Sequence, residues 1–316
     1  MPLDPDVIAD RRRLKRRLTF WRVGALVALV LAGVLVFGEE GGSIGGGDYI
    51  ARIPVDGVLA DDPDLQKLIE QAAKDDKAQA IILAIDSPGG TTTGAEAFYE
   101  TVRDAAAKKP VVAVLGTLAA SGGYIAAISA DHIVARGNTI TGSIGVLFQW
   151  TQLTGLMEKV GVDMRSVKSS PLKAEPNGYD EPPAEAVAAT QTMINASYDW
   201  FVGLVAERRK MSLADARKIG DGRVYTGWQA VKNGLVDEIG GQKQAVAWLE
   251  KSRGLEPDLP VRDQELPAPR LSLRDLLTGS IADIGIDAMA SLAGKTLAPE
   301  RVTLDGLTSV WHPEIR

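Results

Sequence analysis

The chain has 316 residues, of which 45% are hydrophobic and 24% charged, a composition that excludes wholesale disorder. It contains no cysteine and only two histidines, which excludes disulfide scaffolds, thiolate metal sites, a cysteine nucleophile and a histidine-rich metal centre. The net charge of −6 disfavours nucleic acid as a partner. We therefore expect a folded protein that needs no metal or cofactor.

A basic segment followed by an apolar run predicts a membrane anchor at the N-terminus. Residues 1–22 contain seven basic and three acidic side chains, and residues 23–38 are uncharged and mostly apolar. As a helix, residues 18–38 would span about 31 Å, close to the thickness of a bilayer core. The positive-inside rule then places the N-terminus in the cytoplasm and the rest of the chain outside it. A cleaved secretory signal is the alternative.

After a glycine-rich linker (39–48), residues 49–254 alternate short apolar runs with helical patterns. This alternation predicts a layered α/β domain. The predicted strands cover 49–55, 80–85, 111–115, 133–135, 143–147, 164–168 and 235–239. The predicted helices cover 63–74, 94–107, 122–130, 153–160, 182–210, a helix capped by Ser212 and Asp215, and 242–253.

Residues 255–316 form a proline-rich linker, a helix predicted over 271–297 and an extended tail over 301–316. The tail of such a chain could lie in a groove of its own domain and regulate it. Packing on the surface is the plainer interpretation.

Two glycine segments follow predicted buried strands. In the segment 86–90, the sequence Pro-Gly-Gly presents backbone N–H groups without side chains, as needed to face a developing oxyanion. In the segment 119–124, Ser121 begins a helix among residues too small to block access to its hydroxyl. A plain turn and an N-cap serine are the respective alternatives.

Two further segments carry polar groups that could assist. Segment 141–146 contains Ser143, whose hydroxyl could orient another group, and Lys173 lies between apolar neighbours. If Ser121 is a nucleophile it needs a base, but neither His132 nor His312 has an acidic partner at a suggestive spacing. A lysine base must lose its proton near the working pH, which burial among apolar groups favours.

Five segments occur in an order that resembles the short, single-repeat form of the signal peptide peptidase SppA family. They are IDSPGG (85–90), ASGGYIAA (120–127), TGSIGV (141–146), the segment around Lys173, and DGRVYTGWQAVKNGLVDEIGG (221–241). The resemblance covers about 49–254 and implies a serine peptidase with a Ser–Lys dyad and a ClpP/crotonase-like fold.

The resemblance also implies a role for each matching residue. Ser121 matches the nucleophile, Lys173 the general base and Ser143 the hydroxyl that orients the lysine. Gly89 and Gly90 match the oxyanion-hole loop, without indicating which of their N–H groups points inward. The residues around Lys173 depart from the family pattern, which leaves Lys168 as the fallback base.

The expected function is a membrane-anchored endopeptidase that degrades apolar peptides such as remnant signal peptides. The resemblance implies the bacterial inner membrane, with the catalytic domain on its extracytoplasmic side, and a homo-oligomer in which one subunit holds the dyad. Two alternatives stay open. One is a catalytically silent membrane scaffold of the same fold, and the other is a crotonase-like acyl-CoA enzyme.

Overall fold

The computed structural model describes residues 47–264, together with Arg17, residues 20–24 and the backbone of Thr308–Val310. The chain divides into two units, Met1–Gly47 and Asp48–Arg316. The predicted anchor lies almost entirely outside the described residues, as does the helix predicted over 271–297. Within the described part of the chain, no helix is both long enough and apolar enough to cross a membrane.

The second unit alternates strands and helices along its length. The strands are β1 (Tyr49–Leu59), β2 (Ala78–Thr91), β3 (Val111–Ala120), β4 (His132–Ala135), β5 (Ile140–Gly142), β6 (Val224–Thr226), β7 (Glu238–Ile239), β8 (Val261–Asp263) and β9 (Thr308–Val310). The helices are α1 (Pro63–Lys74), α2 (Thr92–Ala106), α3 (Gly122–Ile128), α4 (Thr154–Val160), α5 (Ala184–Arg208), α6 (Leu213–Ile219), α7 (Gly227–Lys232) and α8 (Gln242–Arg253).

The described strands form one sheet in the order β6-β5-β3-β2-β1-β8, with β4 paired to β3 and β7, and β9 paired to β2. The pairs β5–β6 and β2–β9 are antiparallel, and the others are parallel. Ile81, Ile82 and Leu83 in β2 are all fully buried, because both faces of the sheet are covered. Helices α1, α2, α3 and α5 pack on one face and α8 on the other. The predicted α/β layered fold is confirmed.

Two predicted strands are wrong. The strand predicted over 143–147 is replaced by β5, which ends at Gly142 because Gly142 and Ser143 both take positive φ angles, +84° and +50°. No strand forms over 164–168, where the Val167 side chain is fully exposed and the backbone has no neighbouring strand. The predicted cap of α6 is confirmed, since Ser212 Oγ accepts a hydrogen bond of 3.0 Å from the Asp215 N–H.

Candidate active site

Ser121 stands in a strained turn between β3 and α3. Its φ is +56°, a conformation that costs a residue with a side chain about 1–2 kcal/mol. The turn is held because the Ser121 N–H donates to the carbonyl oxygen of Gly142, at 2.8 Å. The Ser121 hydroxyl makes no capping hydrogen bond to α3, so the N-cap alternative is wrong. A buried serine held in a strained turn without a capping role is typical of a functional site.

The glycines after Ser121 let β2 pack directly on this turn. A Cβ added at Gly122 would lie 3.0 Å from the backbone nitrogen of Gly90, and one added at Gly123 would lie 2.6 Å from the carbonyl oxygen of Ser87. Every residue of α3 is buried, so neither segment can move away easily. The packing of α3 therefore places the Gly89–Gly90 loop next to the turn that carries Ser121.

Replacing Gly123 by alanine should destabilise the protein by about 1–3 kcal/mol, because the added methyl group would overlap a backbone carbonyl. Denaturant unfolding measures this change. The matched control is Gly155→Ala in α4, where an added Cβ meets nothing within 4 Å. That control should be neutral or stabilising, by up to about 1 kcal/mol, because alanine favours helix more than glycine does. Equal stabilities of the two variants would contradict the close packing described here.

The glycine loop is the continuation of β2 beyond its regular pairing. Gly89 has a φ of +113°, which favours glycine, and its N–H donates to Ser87 Oγ at 3.2 Å. The Asp86 carboxylate accepts hydrogen bonds from the backbone N–H groups of Thr117 and Leu118, at 3.2 and 3.1 Å. Neither Asp86 nor Ser87 is among the site residues that the sequence motifs predict. The sequence feature that could have identified them is their position directly before Pro-Gly, because Asp and Ser side chains often hydrogen-bond to the backbone of tight turns.

The C-terminal strand β9 lies along the same loop. It pairs antiparallel with β2, with Val310 opposite Gly89, Ser309 opposite Gly90 and Thr308 opposite Thr91. Gly89 and Gly90 already pair with β1 on one edge. Because a strand has two edges, β9 must lie on the other edge, along which β3 runs toward Ser121. The extended tail predicted over 301–316 thus includes a strand beside the candidate oxyanion loop.

Ser143 is brought close to Ser121 by the sheet. Ala120 pairs with Gly142 in the β3–β5 ladder, so that Ser121 and Ser143 each follow directly after paired residues. Ser143 is half-buried, and its N–H donates to the carbonyl oxygen of Arg223 at 2.9 Å. The motif at 221–241 therefore contributes to the site, since it contains Arg223, whose carbonyl oxygen fixes the backbone of Ser143.

Within one chain, the Lys173 side chain is exposed at the surface whereas Ser121 is buried. Lys173 lies in a turn where its N–H donates to the carbonyl oxygen of Ser170, at 3.2 Å, and its side chain is exposed. Among the described residues its ammonium group has no polar partner. The next residue, Ala174, has a φ of +59°, which makes this turn another strained position.

The fallback base, Lys168, is engaged elsewhere. Its ammonium nitrogen lies 2.5 Å from a carboxylate oxygen of Glu175, and both side chains are largely buried. The pair instead ties together the two ends of the loop that carries Lys173.

His132 and Tyr124 have structural roles. The His132 ring stacks on Trp248, with 4.5 Å between ring centroids, and its Nε2 lies 3.0 Å from Glu238, which fixes it between β4, β7 and α8. The Tyr124 hydroxyl donates to the carbonyl oxygen of Leu235 at 2.7 Å, and burial raises its pKa. Tyr124 thereby joins α3 to the segment before β7. Among the described residues, no cluster of side chains could hold a metal ion.

Known proteins share this sequence pattern. The model of peptidase family S49 matches residues 103–256, and the model of Clp protease matches residues 62–137. A Synechocystis protein that carries a protease name is 36% identical over 250 residues, which cover 78% of this chain and 88% of the relative.

Two relatives with more specific names are longer. Protease 4 of Haemophilus influenzae is 33% identical over 253 residues, which cover 79% of this chain and 38% of the relative. The chloroplastic serine protease SPPA of Arabidopsis thaliana is 32% identical over 252 residues, covering 79% of this chain and 37% of the relative. The chain therefore spans less than two fifths of these two relatives.

Proposed function

This chain belongs to peptidase family S49, as a protein of the signal peptide peptidase type, and we propose that it is a serine endopeptidase with Ser121 as nucleophile. The observation that carries the proposal is the strained, buried Ser121 beside a glycine loop along which an extended segment pairs. Neither a scaffold nor an acyl-CoA enzyme requires a peptide strand at this position. A leucine-rich fluorogenic peptide tests the proposal, with Ser121→Ala as the inactive variant.

In the proposed reaction, the Ser121 hydroxyl attacks the carbonyl carbon of the scissile peptide bond. Lys173 of a neighbouring copy in the proposed homo-oligomer, rather than of the same subunit, accepts the Ser121 proton and later donates it to the leaving amine, while Ser143 orients the lysine. The negative charge that develops on the carbonyl oxygen is stabilised by backbone N–H groups of the glycine loop. Water then hydrolyses the acyl-enzyme and regenerates the Ser121 hydroxyl.

The substrates of this proposal are extended apolar peptides, with remnant signal peptides as the physiological class. A substrate strand would pair with Gly89 and Gly90, which have no side chains to obstruct it. The strand β9 lies where such a substrate would lie, and the tail therefore competes with substrates for the cleft. The predicted anchor at 23–38 would hold the enzyme in the bacterial inner membrane, beside its substrates.

The proposed enzyme is a homo-oligomer. The segment from 147 to 193 exposes an unusual number of large apolar side chains, and Lys173 lies among them. They are Leu147, Trp150, Leu156, Val160, Val162, Met164, Val167, Leu172, Tyr179, Val187 and Met193. A second copy that covered this surface would also bury Lys173 among apolar groups. A monomeric mass for the full chain in detergent would contradict the assembly.

A further inference from the structure

The loop that carries Gly89 and Gly90 is irregular on both of its edges. Between β1 and β2 the register shifts after Asp56, where two residues of β1 are matched by three of β2. Between β2 and β3 it shifts after Ile85, where two residues of β2 are matched by four of β3. Such bulges leave backbone groups outside the ladder, and side chains, other backbone groups or water must bind them.

Ser87 is the side chain that binds the bulged part of β2. It is fully buried, and its Oγ accepts the Gly89 N–H at 3.2 Å. The same Oγ lies 3.5 Å from the carbonyl oxygen of Gly89, in a geometry that lets the hydroxyl donate. Pro88, which lies between the two residues, has no N–H. The Ser87 hydroxyl holds both polar backbone groups of Gly89.

This arrangement determines which glycine faces the substrate. The Gly89 N–H is engaged by Ser87 and cannot serve the oxyanion. In a trans peptide the C=O and the following N–H point in opposite directions, so a Gly89 carbonyl directed toward Ser87 directs the Gly90 N–H away from it. The Gly90 nitrogen lies 3.0 Å from the position of a Cβ on Gly122, directly after the nucleophile.

We propose that Ser87 is a positioning residue, whose hydroxyl orients the Gly89–Gly90 peptide so that the Gly90 N–H serves as an oxyanion donor beside the Gly122 N–H. The inference rests on the proposed serine peptidase function. It assigns a task to a residue that has no part in the proposed reaction itself, and it answers which of the two loop glycines donates.

The test compares Ser87→Ala with Ser129→Ala in the full-length protein. Ser129 is also fully buried, and its Oγ donates to the carbonyl oxygen of Ala126 at 2.6 Å, so that its loss measures the cost of removing a buried hydroxyl alone. With the fluorogenic peptide, Ser87→Ala should lower kcat by about 10- to 100-fold and leave KM within about twofold. Ser129→Ala should leave both kinetic constants near their wild-type values.

The rate at which a fluorophosphonate labels Ser121 is the second readout, because this reaction also builds negative charge on an oxygen beside the nucleophile. Ser87→Ala should lower this rate and Ser129→Ala should not. If the alanine variant does not fold, Ser87→Cys fills the same space with a weaker hydrogen-bonding group and should also lower kcat.

The outcomes separate the inference from the function on which it rests. A wild-type kcat in a folded Ser87 variant, with Ser121→Ala inactive, would overturn the role of Ser87 only. Equal losses in the Ser87 and Ser129 variants would assign the effect to packing and also overturn it. Full hydrolysis by Ser121→Ala would instead remove the proposed function itself.

Discussion

Replacing Ser121 by alanine should lower kcat for peptide hydrolysis by at least about 10³-fold, because the nucleophile is lost. The folded state should be little affected, because the hydrogen bond from the Ser121 N–H to the Gly142 carbonyl remains in the variant. Ser121→Gly should be equally inactive but more stable than wild type, by about 1 kcal/mol, because glycine relieves the strain of a positive φ. Hydrolysis rates and denaturant unfolding measure the two effects.

The control for the strain is Lys210→Gly. Lys210 has a φ of +52° just beyond the end of α5, at a position with no part in the proposed site. The Lys210→Gly variant should therefore be more stable than wild type by an amount similar to that of Ser121→Gly, and it should keep full activity. An unchanged stability in Ser121→Gly would show that the nucleophile turn stores no strain.

Lys173→Ala should reduce kcat to a similar extent, because the variant lacks the amine that is proposed to accept the Ser121 proton. Lys159→Ala, at the end of the exposed helix α4, is the control and should retain activity. Lys168→Ala should lose less than Lys173→Ala, since it breaks only the ion pair with Glu175. If Lys168→Ala alone abolished hydrolysis, the base would have to be reassigned to Lys168.

Removing residues 301–316 should raise kcat/KM for the fluorogenic peptide by about tenfold, if β9 occupies the cleft about nine-tenths of the time. The reason is that β9 pairs with the same residues of β2 that a substrate strand would use. A synthetic peptide of 301–316 should in turn inhibit the truncated enzyme competitively.

A point substitution isolates the effect of the pairing from that of chain length. Ser309→Pro keeps the whole tail but removes an N–H from β9, opposite Gly90, and proline is poorly accommodated within paired strands. It should reproduce most of the activation. Identical kcat/KM values for wild type, the truncated protein and Ser309→Pro would show that the tail does not compete with substrates.

The elements that the sequence predicted best are those with local signals at their ends. Helix α1 begins with Pro63 after Asp62, whose side chain accepts two backbone N–H groups, and α8 ends at Gly254 in the left-handed conformation. Both helices have the predicted bounds. In contrast, β2 continues through Pro-Gly-Gly to Thr91, because its extension is imposed by pairing with β1 and β9 rather than by its own residues.

The candidate site shows the same division. The glycine and serine motifs identified Gly89, Gly90, Ser121 and Ser143, which the sheet register and the packing of α3 bring together. The role of Ser87 could not be read from the sequence, because it depends on where its hydroxyl points within a bulge. The position of Lys173 relative to Ser121 was not predictable either, since an exposed loop carries it.

Covalent labelling tests the central claim, that Ser121 is the nucleophile of a peptidase, most directly. The full-length protein would be treated with a fluorophosphonate, digested and analysed by mass spectrometry to locate the modified residue, in parallel with loss of peptide hydrolysis. We expect a single label on Ser121 that appears as activity disappears, and no label in Ser121→Ala. Complete inactivation with the label on another serine, or full hydrolysis with Ser121 labelled, would contradict it.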